Sequence, residues 1–267
     1  MVYYTPCMRI LLVGVGNMGR KYLTKMAELG HTPILCDTDP DKRVNGFSFY
    51  CHVEEVKEQV DAAIVAIEPS EHVKVSKPLL EMGLPVLLEK PPALSYREFQ
   101  KIEPYTHLYI SEIETFSSCL KYFPEKVHTL SIERLGRSKG YVSPLWDLAW
   151  HDLYLLQLFF ENIWITQVKT GELWEINGEA DRIPFSLKVA WEHPAPSRRW
   201  VINEGELILD LAKEEVWVKG ELLHSEPRDK LKLMLKAFLE GEFDKESRER
   251  AKRNLLLLEE AESLLRT

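Results

Sequence analysis

The sequence predicts an α/β fold: a doubly wound parallel sheet in the N-terminal half, then an α+β domain on a largely antiparallel, open-faced sheet. Three observations predict it. Short apolar runs alternate with helical spacing up to about residue 110, the pattern of right-handed βαβ units. Beyond about residue 120, strand-like segments follow one another with few helices between them. All seven tryptophans lie in the second half, whereas the first half is rich in Val, Leu, Ile and Gly. The break is placed so as to give domains of residues 1–118 and 119–267, with the terminal helices expected to pack back on the first domain.

Taken in order, Met8 to Val13 is a short apolar run that ends in a glycine turn, as a buried parallel strand does. Helical spacing runs from Asn17 to Leu29, and Gly30 follows as a C-cap. Pro33 to Cys36 reads as the second strand, stopped by Asp37, and Ala62 to Ile67 as another, followed by a helix that closes at Met82-Gly83. Pro85 to Leu88 and Leu108 to Ile110 complete the parallel set. In the second half, strands are predicted at Val127–Ile132, Ile165–Thr170, Phe185–Trp191, Trp200–Ile202, Leu207–Leu211 and Glu215–Val218. One helix, Leu145 to Phe160, interrupts them, and amphipathic helices at Asp229–Glu240 and Lys245–Leu265 end the chain. The first seven residues read as a tail, with Met8 an alternative start.

Composition narrows the function classes. A chain of 267 residues can bury a sizeable core, and its 45% hydrophobic and 28% charged residues are those of a globular protein. A formal charge of −8 argues against nucleic-acid binding, which needs a basic face. No apolar run reaches the length of a membrane span, and Ile10 to Val15 is too short for a signal peptide. Cys7, Cys36, Cys51 and Cys119 show no CxxC spacing, so reduced thiols in a cytoplasmic protein are expected and no metal site.

The segment Gly14-Val15-Gly16-Asn17-Met18-Gly19 stands between a strand and a helix. That context makes a GxGxxG turn a dinucleotide-binding fingerprint and the first domain a Rossmann domain. Gly14 allows the tight turn, Gly16 lets a pyrophosphate approach the backbone, and Gly19 lets the helix pack close on the strand. Asp37 ends the second strand, where a carboxylate takes the adenosine ribose hydroxyls and repels a 2′-phosphate. NAD is therefore expected in preference to NADP.

Two further segments carry polar groups suited to chemistry. Glu89-Lys90-Pro91-Pro92 follows the strand Val86-Leu87-Leu88, and ligands of open parallel sheets sit outside the carboxyl ends of strands. Taken alone, Lys90 fits a solvated surface residue as well. Asp147 and His151 are four apart, hence on one helical face, which also suits a helix-stabilising pair. Arg198 and Arg199 beside Trp200 suit a solvated pair at a strand start more than a grip on a phosphate or carboxylate.

The glycine turn, Asp37, Pro69-Ser70-Glu71-His72, Glu89-Lys90-Pro91 and Asp147-x-x-x-His151 occur in the order of the glucose–fructose oxidoreductase/inositol dehydrogenase (Gfo/Idh/MocA) family, and the chain resembles that family over nearly its whole length. The resemblance implies catalytic roles for Lys90, Asp147 and His151 and a cis bond before Pro91. It also implies cofactor contacts from Gly14, Gly16, Asn17, Met18, Gly19, Asp37, Pro69, His72, Glu89 and Lys90. Two departures fall where substrate would lie. Bulky Trp150 stands where relatives carry Gly or Pro, and Ser111 to Phe116 replaces the usual G-x-x-R-x-x-P stretch.

The resulting expectation is reversible oxidation of a secondary alcohol on a sugar, polyol or nucleotide sugar. His151 serves as general base, Asp147 orients it or holds a substrate hydroxyl, and Lys90 hydrogen-bonds the reacting oxygen. Trp146 and Trp150 flank the site and are candidates to stack on a sugar ring, although tryptophans so placed are more often core or interface residues. The alternatives are a reductase of a semialdehyde, imine or tetrapyrrole on the same fold, and a non-catalytic dinucleotide sensor. The expected partners are a small-molecule substrate and further copies of the chain, in a homodimer or homotetramer built through the C-terminal sheet.

Overall fold

The structure is a computed structural model that describes residues 7–266; the tail read from the sequence lies, apart from Cys7, outside the described residues. Two compact units are present, one formed by residues up to Ser111 with residues 231–252, the other by residues 112–230 with the remainder of the chain.

The first unit is laid down as β1 (Arg9–Val13), α1 (Asn17–Glu28), β2 (Thr32–Cys36), β3 (Ser48–Tyr50), β4 (Ala62–Val65), α2 (His72–Glu81), β5 (Val86–Leu88), α3 (Tyr96–Phe99) and β6 (Leu108–Ile110). All six strands pair in parallel in the order β3-β2-β1-β4-β5-β6. β4 and β5 are buried along their whole length and β1 beyond Arg9, which is why they read as continuous apolar runs instead of alternating ones. The order reverses between β1 and β4, so the loops after these strands flank the switch point where doubly wound sheets bind ligands. The short β3 was not foreseen. It has three half-exposed or exposed residues and only β2 as a neighbour, too little for a period-2 signal.

The second unit comprises β7 (Leu130–Leu135), a wider π-helical turn (Leu145–Ala149) running into α4 (Trp150–Leu156), then β8 (Ile163–Lys169), β9 (Trp174–Ala180), β10 (Ile183–Ala190), β11 (Ser197–Ile202), β12 (Leu207–Asp210), β13 (Glu215–Val218) and β14 (Glu221–Ser225). Eight strands form one sheet in the order β14-β13-β12-β11-β7-β10-β9-β8, antiparallel throughout except for the parallel pair β7–β10. The turn before α4 rests on β7 and β10. Helices α5 (Lys230–Leu239) and α6 (Ser247–Leu264) close the chain.

Several expectations are corrected here. β7 lies three residues later than predicted because the charged pair Glu133-Arg134 belongs to the strand. Arg134 is tolerated in the interior by two buried carboxylates. The predicted strand list omits β9, whose Asn177-Gly178 resembles a turn signal. In the fold, a Cβ on Gly178 would strike the Trp164 carbonyl and the Phe185 ring, so the glycine marks close packing of strands. The edge strand β14 was also missed. The single helix expected over Leu145 to Phe160 is instead a π-helical turn followed by seven α-helical residues.

Candidate functional site

In the first unit, Gly14 has φ +92°, and a Cβ there would run into the Ala66 carbonyl. A Cβ on Gly19 would meet the Gly14 carbonyl, so α1 can sit this close to the turn only without one. Gly16 is different: nothing lies within 4 Å of where its Cβ would be. The turn is therefore bare on the side where a pyrophosphate would approach. Helix α1 has no side-chain cap and no acidic residue in its first turn. The backbone N–H groups at its start, from Asn17, Met18 and Gly19, and the positive end of its dipole are thus complementary to phosphates. These residues fit a dinucleotide.

Asp37 begins the loop after β2. Its Oδ2 accepts a hydrogen bond from Val15 N at 2.7 Å, and its Oδ1 accepts one from Asp39 N at 3.0 Å. The sequence places Asp37 on the ribose; the fold adds that its carboxylate also holds the glycine turn. A carboxylate has about four acceptor sites, so lone pairs remain for hydroxyl donors.

Of the residues predicted to contact cofactor, Pro69, His72 and Glu89 are buried, and the last two are hydrogen-bonded within the first unit. His72 is fully buried, with Nδ1 2.8 Å from the Pro91 carbonyl and Nε2 3.1 Å from that of Ile67. Its ring joins the loop after β4 to the loop after β5. Burial lowers its pKa to about 4 against the raising effect of those carbonyls. Pro69 is buried at the start of the turn that leads into α2. Glu89 points inward, where Tyr22 Oη donates to its Oε1 at 2.6 Å and Lys90 N to its Oε2 at 3.2 Å. His72 and Glu89 position the loop that presents Lys90. Lys90 itself is half-buried, and the Lys90–Pro91 bond is cis.

In the second unit, Asp147 lies in the π-helical turn and His151 in the first turn of α4, both half-buried. Four residues make slightly more than one α-turn and slightly less than one π-turn, so the two still share a face. Trp191 Nε1 donates to Asp147 Oδ2 at 3.0 Å. His151 Nδ1 lies 3.3 Å from the Tyr154 hydroxyl. Neither Trp191 nor Tyr154 was singled out from sequence. Tyr154 had a signal, being three residues beyond His151 on the same helix; Trp191 had none, because it comes from the bend after β10, 44 residues away.

Of the two readings of Trp146 and Trp150, burial matches the core residue and not the sugar-stacking one. The two side chains are 5% and 1% exposed, and Trp146 Nε1 donates to Glu262 Oε1 at 2.7 Å. The Trp150 carbonyl accepts from Asn254 Nδ2 at 2.9 Å. Arg198 and Arg199 pair with Glu114 and Asp210.

Beneath α4 lies a charged lattice. Arg134 makes a forked contact with Asp152 at 2.6 and 3.2 Å and donates to Glu114 at 2.9 Å. Lys230 bridges Glu114 and Glu214, each at 2.7 Å, and Trp200 Nε1 donates to Asp152 at 2.8 Å. Burial alone would push the Glu114 carboxyl up; Arg134, Lys230 and Arg198 overcome it and hold the pKa at about 2. Charges in such surroundings persist only when mutually paired.

No group of His, Cys, Asp or Glu among the described residues is arranged to hold a metal ion, and no described helix is long and apolar enough to cross a membrane.

Residues 8–105 match the family described as an oxidoreductase family with an NAD-binding Rossmann fold. No curated protein matches the chain. Among solved structures, UDP-N-acetylglucosamine 3-dehydrogenase GnnA from Acidithiobacillus ferrooxidans is similar with a TM-score of 0.82 at 20% identity, over 97% of this chain and 99% of that one. D-galactose-1-dehydrogenase from Rhizobium etli gives 0.79 at 16% identity, over 98% and 97%. A myo-inositol dehydrogenase from Corynebacterium glutamicum gives 0.76 at 15%, over 97% and 96%. These likenesses are of fold. The family likeness is confined to residues 8–105, where the chain is similar to the Gfo/Idh/MocA oxidoreductase family with its NAD-binding Rossmann fold.

Proposed function

We propose that this protein is an NAD-dependent dehydrogenase that interconverts a secondary alcohol and a ketone on a sugar, polyol or nucleotide sugar. The observation that carries the reading is Asp147 and His151 on one helical face, in a chain whose other unit is an NAD-binding Rossmann domain. The names of three similar structures, a nucleotide-sugar, an inositol and a galactose dehydrogenase, favour the substrate class. When bound, nicotinamide supplies the hydride acceptor or donor. The first unit's residues hold the dinucleotide at the glycine turn and Asp37 and offer Lys90 as a donor to a developing oxyanion; in the second unit, the Asp147–His151 face offers groups that bind a substrate hydroxyl and take or give its proton. A dinucleotide sensor would have no use for all three groups together.

The test is nicotinamide absorbance on mixing protein and NAD with a panel of polyols, hexoses and nucleotide sugars. Turnover with at least one, lost in Lys90→Ala while NAD still binds, is the expected result. Tight NAD binding with no turnover on any of them overturns the proposal in favour of a sensor.

A further inference from the structure

The Tyr154 hydroxyl is wholly buried. Its oxygen accepts a hydrogen bond from the backbone N–H of Glu114 at 2.9 Å. A backbone N–H can only donate, so that contact uses a lone pair of the hydroxyl and leaves its hydrogen to be placed. Among the described residues, the other hydrogen-bonding atom against this hydroxyl is His151 Nδ1, at 3.3 Å. Burial and the neighbouring Glu114 carboxylate keep Tyr154 protonated, so there is a hydrogen that requires an acceptor.

Two arrangements compete. If His151 carries its proton on Nδ1, that N–H points at the Tyr154 oxygen and the hydroxyl hydrogen is left buried without a partner. If His151 carries its proton on Nε2, the Nδ1 lone pair receives the hydroxyl hydrogen and both contacts of the Tyr154 hydroxyl are matched. An unmatched donor at a fully buried site loses its hydration with nothing in return, so the second arrangement wins. The scaffold leaves Tyr154 little freedom to turn elsewhere, because Glu114 is fixed by Arg134 and Lys230.

We propose that Tyr154 fixes His151 as its Nε2–H tautomer, so that the neutral imidazole donates a hydrogen bond to the substrate oxygen and does not take up the carbinol proton. This rests on the dehydrogenase reading and reverses the role expected for His151 from sequence. A neutral histidine that polarises a carbonyl is a known catalytic device. Proton uptake then falls to a group other than His151. Tyr154 is a positioning residue: it acts on substrate only through His151.

Two measurements test the proposal. Nitrogen-15 NMR of histidine-labelled protein, without substrate, reads the tautomer directly. The expected result is a protonated Nε2 and a hydrogen-bonded, unprotonated Nδ1 for His151, with the Nδ1 resonance moving in Tyr154→Phe; a protonated Nδ1 in the unaltered protein overturns the proposal. The tautomer of the unaltered protein is read without turnover and without any variant, so its failure is separable from failure of the dehydrogenase reading. Second, on whichever substrate turns over, His151→Gln keeps a side-chain amide that donates but cannot act as a base. It is expected to retain kcat within about tenfold of the unaltered enzyme, while His151→Ala falls by about 10²–10³. A glutamine variant as inactive as the alanine one overturns the donor role.

Discussion

Asp37 Oδ2 accepts a hydrogen bond from Val15 N at 2.7 Å, which ties the end of β2 to the middle of the glycine turn. One carboxylate thus shapes the phosphate-binding loop and is the candidate ribose acceptor. Asp37→Ala is expected to weaken NAD binding by about tenfold or more, the scale of losing a hydrogen bond to a charged group. It is also expected to narrow the preference for NAD over NADP, since the repulsion of a 2′-phosphate disappears. Titration of both cofactors by fluorescence checks this; an unchanged NAD-to-NADP ratio rejects Asp37 as the selector.

The glycines of the turn separate stability from binding. A Cβ on Gly16 meets nothing within 4 Å, whereas one on Gly19 meets the Gly14 carbonyl. Gly16→Val is therefore expected to change unfolding free energy by no more than about 0.5 kcal/mol while abolishing measurable NAD binding. Gly19→Ala is expected to lower the melting temperature in the absence of cofactor. Thermal unfolding with and without NAD distinguishes them, and a destabilised Gly16→Val would contradict the assignment.

Lys90 is presented by a loop tied down through Glu89 to Tyr22 and through His72 to the Pro91 carbonyl. Lys90→Ala is expected to lower kcat by about 10²–10³, as loss of one donor to a developing oxyanion does, with the NAD dissociation constant little altered. Tyr22→Phe, which removes only the tether, should lower kcat far less. Steady-state kinetics of the two variants would expose a merely structural lysine if both fell equally.

Acid stability follows from two buried groups. The pKa of His72 is lowered to about 4 from 6.5, so the unfolded chain binds a proton the folded one refuses. Its contribution is full above about pH 6.5 and declines as pH falls toward 4. The pKa of Glu114 is lowered to about 2 from 4.5; its contribution is full above about pH 4.5 and declines toward pH 2. Glu114→Gln is expected to cost about 3–5 kcal/mol at pH 7, because Arg134 and Lys230 lose their shared partner inside the protein. It should also flatten the loss below pH 4.5 while leaving the decline between pH 6.5 and 4. Urea unfolding at pH 7, 5 and 3.5 reads both, and an unchanged slope below pH 4.5 would rule out Glu114 as its source.

What the sequence determined by itself is local. Continuous apolar runs marked β1, β4 and β5, the glycine turn marked the start of α1, and the spacing of Asp147 and His151 placed both on one face, because each is a property of a few consecutive residues. Even there the π-helical turn escaped, since a single wider turn leaves the apolar spacing nearly unchanged. Tertiary structure decided what depends on partners distant in sequence. Trp146 and Trp150 became core residues only once the sheet and α6 covered them. Arg134 could enter a strand only because Glu114 and Asp152 meet it there. The resemblance implies cofactor contacts for His72 and Glu89, yet their hydrogen bonds go to Pro91 and Tyr22, 19 and 67 residues away. Which side chains are matched inside the protein, and hence which remain for substrate, is fixed by burial and by long-range hydrogen bonds. Neither leaves a period in the sequence.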